Sequence, residues 1–93
     1  MANEMDGPVE QARVLHGEQV WQPGYVPPFA DSGTYTFRLL PEEPLRVEFR
    51  TAEGRMTGRN FESHALVQHH GETQFIIQRG GTVSAVSRYD LRN

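Results

Sequence analysis

The feature that most constrains this chain is a series of short stretches in which apolar and polar residues alternate, separated by tight turns. The clearest is residues 45–50, LRVEFR, in which every second residue is apolar. A period of two puts the apolar side chains on one face of a β-strand and the charged side chains on the other. Turn-forming residues follow at 52–55, 70–72 and 79–81. The spacing predicts an antiparallel meander from Leu45 to Val86.

The other stretches of this kind extend the predicted sheet. A bulge or bend is expected at Asn60–Phe61, next to a glycine inside a strand pattern. Short strands joined by tight turns are typical of small all-β folds, and closure removes the exposed edges of a small sheet. We therefore expect an all-β, small, bent five-stranded antiparallel barrel. Further strands are predicted at residues 35–39, 56–61, 65–67, 75–77 and 82–86.

Residues 1–33 differ from the rest of the chain in charge. They carry five acids and one arginine, a net charge of −4, whereas the whole chain of 93 residues has −3. This balance does not favour a strongly nucleic-acid-binding surface, which usually has a basic excess. The charge shift suggests a division into an acidic N-terminal segment and arm at 1–33 and a barrel domain at 34–93.

Residues 8–16 allow two interpretations. Asp6-Gly7-Pro8 is typical of a helix start, and apolar residues recur at every third position from Val9 to Leu15. Alternatively, the segment pairs with residues 19–21 as a small hairpin. The short helix is the preferred prediction, preceded by a polar, disordered stretch at residues 1–7.

An aromatic arm follows at residues 22–33. The density of proline and glycine there predicts no regular structure. Three large side chains nevertheless lie in or beside it: Trp21, Tyr25 and Phe29. Such a segment either covers an opening in the core, which is the commoner case, or forms an exposed recognition arm.

Two short motifs in the meander resemble those of a known superfamily. The first comprises residues 47–49 (VEF), 54–58 (GRMTG) and 61–63 (FES), and the second is 76–80 (IIQRG). They resemble the motifs of the Sm-like barrel shared by Sm proteins and bacterial Hfq, a relative of SH3-like barrels. Residues 50–55 are also similar to the WYL domain, another Sm-like barrel.

The resemblance implies a function as well as a fold. Sm-like proteins form homo-oligomeric rings that bind single-stranded RNA without catalysing a reaction. The contacts it implies are Ser63 and His64 in one loop, and Arg79 and Gly80 in another. Arginine stacked on a base would supply part of the affinity.

A second hypothesis is a protein-interaction module that docks on a larger partner without nucleic acid, such as a phage or mobile-element regulator. The aromatic arm favours it. So does the unbroken apolar run at 75–77, which suits a strand covered on both faces by the N-terminal segment or a neighbouring subunit. The candidate contacts are Trp21, Tyr25, Phe29, Phe75, Ile76 and Ile77.

No residue pattern predicts catalysis, a metal or a cofactor. The chain has no cysteine. In an extended strand His69 and His70 face opposite sides, and His64 lies about 20 Å from His70. Glu62 beside His64 is best interpreted as a surface ion pair. Without an apolar run long enough to span a membrane, a cytoplasmic protein is expected.

Overall fold

The computed structural model describes residues 1–33, 38, 40, 42–62 and 72–88. The described residues contain strands and turns but no helix, which confirms the all-β class. The strands are β1 (Ala2–Asn3), β2 (Val9–His16), β3 (Gln19–Val26), β4 (Ala30–Asp31), β5 (Leu45–Arg50), β6 (Met56–Phe61), β7 (Glu72–Gln78) and β8 (Thr82–Arg88).

The eight strands form two four-stranded sheets. One has the order β4-β1-β7-β8, and the other has the order β3-β2-β5-β6. Neighbours pair antiparallel except β1 and β7, which are parallel. The predicted five-stranded closed barrel is therefore wrong for the described residues. Residues 1–33 supply four strands, and these strands pair within both sheets.

The preferred helix at residues 8–16 is wrong, and the hairpin alternative is confirmed. β2 pairs with β3 across the turn at Gly17, and its other side pairs with β5. Both registers shift between residues 9 and 13, around Gln11, whose φ is +52°. An extra residue in a strand is a β-bulge. The bulge places Val9 and Ala12 on the same face three residues apart, which is the spacing that resembles a helix.

The prediction of no regular structure at residues 22–33 is also wrong. β3 continues through Pro23 and Gly24 to Val26, and β4 follows at Ala30–Asp31. A second register shift, between Ala12 and Val14, leaves an extra residue in β3 beside Pro23. Proline is tolerated in an edge strand and at a bulge because its missing N–H is not needed there.

The N-terminal residues are ordered rather than disordered as predicted. Met1 and Asn3 are buried, and β1 lies between β4 and β7. Its backbone pairs Ala2 with Ile76 on one side and with Asp31 on the other. The polar composition of this stretch suggested disorder. The prediction was wrong because the polar residue Asn3 is buried and hydrogen-bonded.

The β5–β6 hairpin is confirmed, including the alternation from Leu45 to Arg50. Its register is continuous from the Leu45–Phe61 pair to the Arg50–Met56 pair, so of the bulge or bend expected at Asn60–Phe61, the bulge is wrong. The β7–β8 turn is confirmed and uses positive φ at Gly80 and Gly81.

Two of the predicted strands fall wholly or mostly on residues outside the described ranges. Residues 65–67, and all of 35–39 except residue 38, lie outside the described residues. The same holds for the predicted turn at 70–71.

The core lies between the two sheets. One sheet contributes Phe75, Ile77 and Val83, and the other contributes side chains from β2, β3 and β5. At one corner the rings of Phe61 and Phe75 lie 5.4 Å apart, so β6 and β7 meet there across the two sheets. Among the described residues, the buried apolar side chains are Met1, Val9, Ala12, Val14, Val26, Leu45, Val47, Phe49, Phe75, Ile77 and Val83.

Candidate functional site

Two aromatic side chains protrude near the end of β3: Tyr25 lies within β3, and Phe29 lies in the segment that joins β3 to β4. Tyr25 is 59% exposed and Phe29 is 70% exposed. They belong to the candidate arm, but the arm is divided: Val26 between them is fully buried, and Trp21 packs partly against the core. We call Tyr25 and Phe29 the aromatic surface. Large exposed side chains on a fixed backbone are typical anchors in protein interfaces.

The backbone beneath the aromatic surface is held by the side chain of Asn3. Its amide nitrogen donates to the carbonyl oxygens of Val26 at 3.1 Å, Pro27 at 3.2 Å and Gly7 at 3.0 Å. Its oxygen accepts from the backbone N–H of Met5 at 2.9 Å. One buried side chain thus joins the segment after β1 to the segment after β3.

Phe29 occupies an unfavourable backbone conformation. Its φ is +56°, in the left-handed region that glycine and asparagine enter far more readily than bulky residues. Such a conformation costs on the order of 1–3 kcal/mol and is found mostly at functional positions. A phenylalanine that is strained and yet mostly exposed contributes little to the core, so folding alone does not account for it.

The other residues predicted for protein contact lie inside the fold. Phe75 and Ile77 face the core, and Ile77 is fully buried. Ile76 is half-buried and pairs with Ala2 of β1. The same chain therefore covers this strand: the N-terminal segment lies at its edge, and the opposite sheet lies on its inner face. A role for these three residues in binding stays a prediction.

The residues predicted for RNA contact are described only in part. Arg79 and Gly80 lie in the β7–β8 turn, and the Arg79 side chain is 82% exposed. Its guanidinium lies 3.5 Å from the carboxylate of Asp6, which is itself 75% exposed. Ser63 and His64 lie outside the described residues.

Four acidic residues lie on segments adjacent to the aromatic surface. Glu4, Asp6 and Asp31 lie on segments that run beside residues 26–30, and Glu10 neighbours Tyr25 across β2 and β3. All four are exposed. Burial alone raises the pKa of Asp31, but hydrogen bonds from Gly33 N–H and Gln74, together with the N-terminal amine, outweigh this and lower it.

The outer face of the β3-β2-β5-β6 sheet carries a compact ion-pair group. Glu48, mostly buried, accepts from Arg13 on β2 and from Arg46 on its own strand. Burial alone raises the pKa of Glu48, but the two guanidinium groups outweigh it and hold the pKa below the ordinary glutamate range. Gly58 lies opposite Glu48, and a Cβ there would come 2.6 Å from the Arg46 guanidinium. Glu48 thus compensates part of the positive charge of the two arginines.

A shallow open groove of about 280 Å³ lies over the bulge of β2. Sequence reasoning missed it, because a bulge has no reliable local signal and Gln11 is not a typical left-handed residue. Polar groups of modest reactivity line it, which does not indicate catalysis. Its lining residues are Gln11, Ala12, Arg13, Gln22, Gly24 and Met56.

His16 is the one fully buried histidine of the described chain. Its Nε2 accepts from the backbone N–H of Leu40 at 2.7 Å, so Nδ1 carries the proton and faces the carbonyl oxygen of Pro44 at 3.2 Å. These bonds hold Leu40 and Pro44 against β2, which is a structural role. Within the described ranges no cluster of three or more histidine and acidic residues could hold a metal ion.

The comparisons with known proteins add no relative. No protein-family description, curated protein or solved structure matches this chain significantly. Among the described residues, no helix has the length and apolar character needed to cross a membrane.

Proposed function

We propose that this protein is a small, non-enzymatic all-β module that docks on a protein partner through the aromatic surface of Tyr25 and Phe29. The observation that carries the proposal is Phe29, which is bulky, 70% exposed and held at a φ of +56°. Retaining an aromatic ring at a position that disfavours it makes sense when the ring is needed for an interaction.

The Asn3 bonds support the same function. A loop that must be ordered on binding loses conformational entropy at that moment, and this loss weakens the complex. Here the carbonyl groups of Val26 and Pro27 are already fixed by a buried side chain. The aromatic surface is therefore presented in advance on a rigid support.

The test compares the wild-type protein with the double variant Tyr25→Ala/Phe29→Asn. Both proteins are immobilised and used to select from a random displayed peptide library. We expect peptides that bind the wild type and not the variant. The control Val86→Ala removes apolar surface from the exposed side of β8, at the opposite edge of its sheet, and should select the same peptides as the wild type.

A stability measurement shows whether the variant is a fair comparison. Asparagine tolerates positive φ better than phenylalanine does, so Phe29→Asn should keep or raise the melting temperature. A folded double variant that selects the same peptides as the wild type would contradict the proposed docking surface.

A second candidate function is the binding of single-stranded RNA by a homo-oligomer, as the Sm-like resemblance implies. The exposure of Arg79 at a turn tip favours it. Filter binding to short U-rich and A-rich RNA at low salt tests it. Arg79→Gln should lose the binding, whereas Arg55→Gln in the β5–β6 turn should not. Absence of RNA binding by the folded wild type would contradict this function.

The contact between Asp6 and Arg79 gives this candidate a second test. The charge of the N-terminal segment has to be changed by substitution, because a truncation there would remove β1 and β2. Asp6→Asn frees Arg79 without removing a strand, and it should strengthen RNA binding. Sedimentation separates the two candidates further, because an Sm-like assembly is a ring and the docking module needs no assembly.

A further inference from the structure

We infer that the partner segment recognised by the aromatic surface is basic: a peptide stretch with lysine or arginine beside an apolar residue. The inference rests on the proposed docking function and adds the chemical class of the partner. The charged residues on the segments next to Tyr25 and Phe29, and the groups that neutralise some of them, support this class of partner.

The backbone pairings place four acidic residues on the segments that adjoin the aromatic surface. Asn3 joins residues 26–27 to the 4–7 segment, which carries Glu4 and Asp6. β4 follows Phe29 directly and carries Asp31, whereas Glu10 adjoins the Val9–Val26 pair and so neighbours Tyr25. Aromatic rings rimmed by carboxylates suit a partner whose apolar anchor is flanked by cations.

Part of this charge is neutralised within the chain. Asp6 contacts Arg79 and Asp31 contacts the N-terminal amine, each at 3.5 Å. For Glu4 and Glu10, the described residues provide no ion pair. Arg50 is aligned with Glu10 in the β2–β5 register, but its guanidinium donates to the carbonyl oxygen of Gly54 at the β5–β6 turn. The aromatic surface therefore keeps an excess of negative charge on its rim.

An acidic partner would bring further negative charge against these carboxylates. Like charges placed against each other across an interface disfavour association. A purely apolar partner would leave Glu4 and Glu10 without compensation at the rim, where they lose part of their hydration. Of these three classes, only a basic segment with an apolar residue can both pack against the aromatic rings and compensate the charge of the nearby carboxylates.

The experiment determines the net charge of the selected peptides that bind the wild-type protein but not the Tyr25→Ala/Phe29→Asn variant. We expect a net positive charge and at least one apolar residue among them. One enriched peptide is then measured against Glu4→Gln/Glu10→Gln, for which we expect about two- to fivefold weaker binding per carboxylate removed. The matched control is Glu18→Gln, an exposed acid in the β2–β3 turn at the far end of that hairpin.

The outcomes separate the two proposals. Peptides that depend on the aromatic surface but are neutral or acidic would overturn the basic partner and leave the docking surface intact. Equal binding to the wild type and Glu4→Gln/Glu10→Gln would overturn it as well. If no peptide depends on Tyr25 and Phe29, the docking surface itself is contradicted. Self-association removed by the double variant would assign the surface to a second copy of the chain and would also overturn the basic-peptide class.

Discussion

At the residue scale, Asn3 determines more of the structure than any charged side chain described. It satisfies three carbonyl oxygens and one N–H in the interior, and it links segments that are far apart in sequence. We expect Asn3→Ala to lower the free energy of unfolding by about 1–3 kcal/mol, because its buried partners are left unsatisfied. Urea denaturation measures this.

The control for that prediction is Asn60→Ala. Asn60 is exposed and accepts one hydrogen bond from Arg46, so the expected change is within about 0.5 kcal/mol. Asn3→Asp should be worse than Asn3→Ala, since a carboxylate would face carbonyl oxygens in place of a donor. Equal stability of Asn3→Ala and the wild type would show that the Asn3 bonds add nothing to the fold.

Glu48 gives a pH-dependent prediction at the same scale. Its pKa is lowered in the folded protein by Arg13 and Arg46, so its contribution is fully present above the pKa of the unfolded chain. The contribution is lost as the pH falls through the lower, folded value. The stability difference between the wild type and Glu48→Gln should therefore be largest near neutral pH and shrink below the ordinary glutamate pKa of about 4.3.

The control for this prediction measures the same Glu48→Gln substitution in a protein that lacks both guanidinium groups. In Arg13→Gln/Arg46→Gln burial still acts on Glu48 and raises its pKa, so the pH dependence of the Glu48→Gln effect should be lost or reversed. Both arginine side chains are partly exposed, so the expected effect is below about 1 kcal/mol. Chemical denaturation between acid and neutral pH measures it; a pH-independent difference in the wild-type background would contradict the assignment.

At the scale of single elements, local patterns succeeded where pairing is regular and failed where a bulge intervenes. β5 and the two glycine-containing hairpin turns were predictable because alternation and turn chemistry are properties of neighbouring residues. β2 was not, because its bulge at Gln11 changes the face of every residue before it. The prediction of no regular structure around Pro23 was wrong for a related reason, since this proline lies in β3 at a second register shift.

The bulge provides a prediction for the element. Deleting Gln11 should turn Val9 away from the core or break the pairing with β5, at a cost of roughly 1.5–3 kcal/mol for one exposed valine. Gln11→Gly, in contrast, keeps the bulge and relieves the positive φ, so we expect no loss of stability. Thermal denaturation distinguishes the two changes.

The control on the neighbouring strand is Gln22→Gly. Gln22 is not among the residues with positive φ, so glycine there should only weaken the strand, by about 0.5–1 kcal/mol. A deletion variant as stable as the wild type would mean that the bulge does not set the register of β2.

At the scale of the whole molecule, the assembly of the sheets could not be predicted from local patterns. β1 is two residues long, yet it joins β4 to β7 through pairs such as Ala2 with Ile76. Parallel pairing over so long a separation leaves no local signal. The same limit applied to the site: Tyr25 and Phe29 were candidates from composition, but the hydrogen bonds that hold the neighbouring backbone come from the distant Asn3.

β1 lies between β4 and β7 in its sheet, so its removal should affect both neighbouring strands. A chain lacking residues 1–7 loses β1 and two buried residues, Met1 and Asn3, so β4 is separated from β7. We expect a lower melting temperature and faster hydrogen exchange at the β7 amides that face β1. The control replaces Glu4 and Asp6 by Gln and Asn, which removes the charge of the segment and keeps its strand. A truncated chain as stable as this control would contradict the prediction. Residues 1–7 would then contribute nothing to the stability of the fold, and they would not connect the aromatic surface to it.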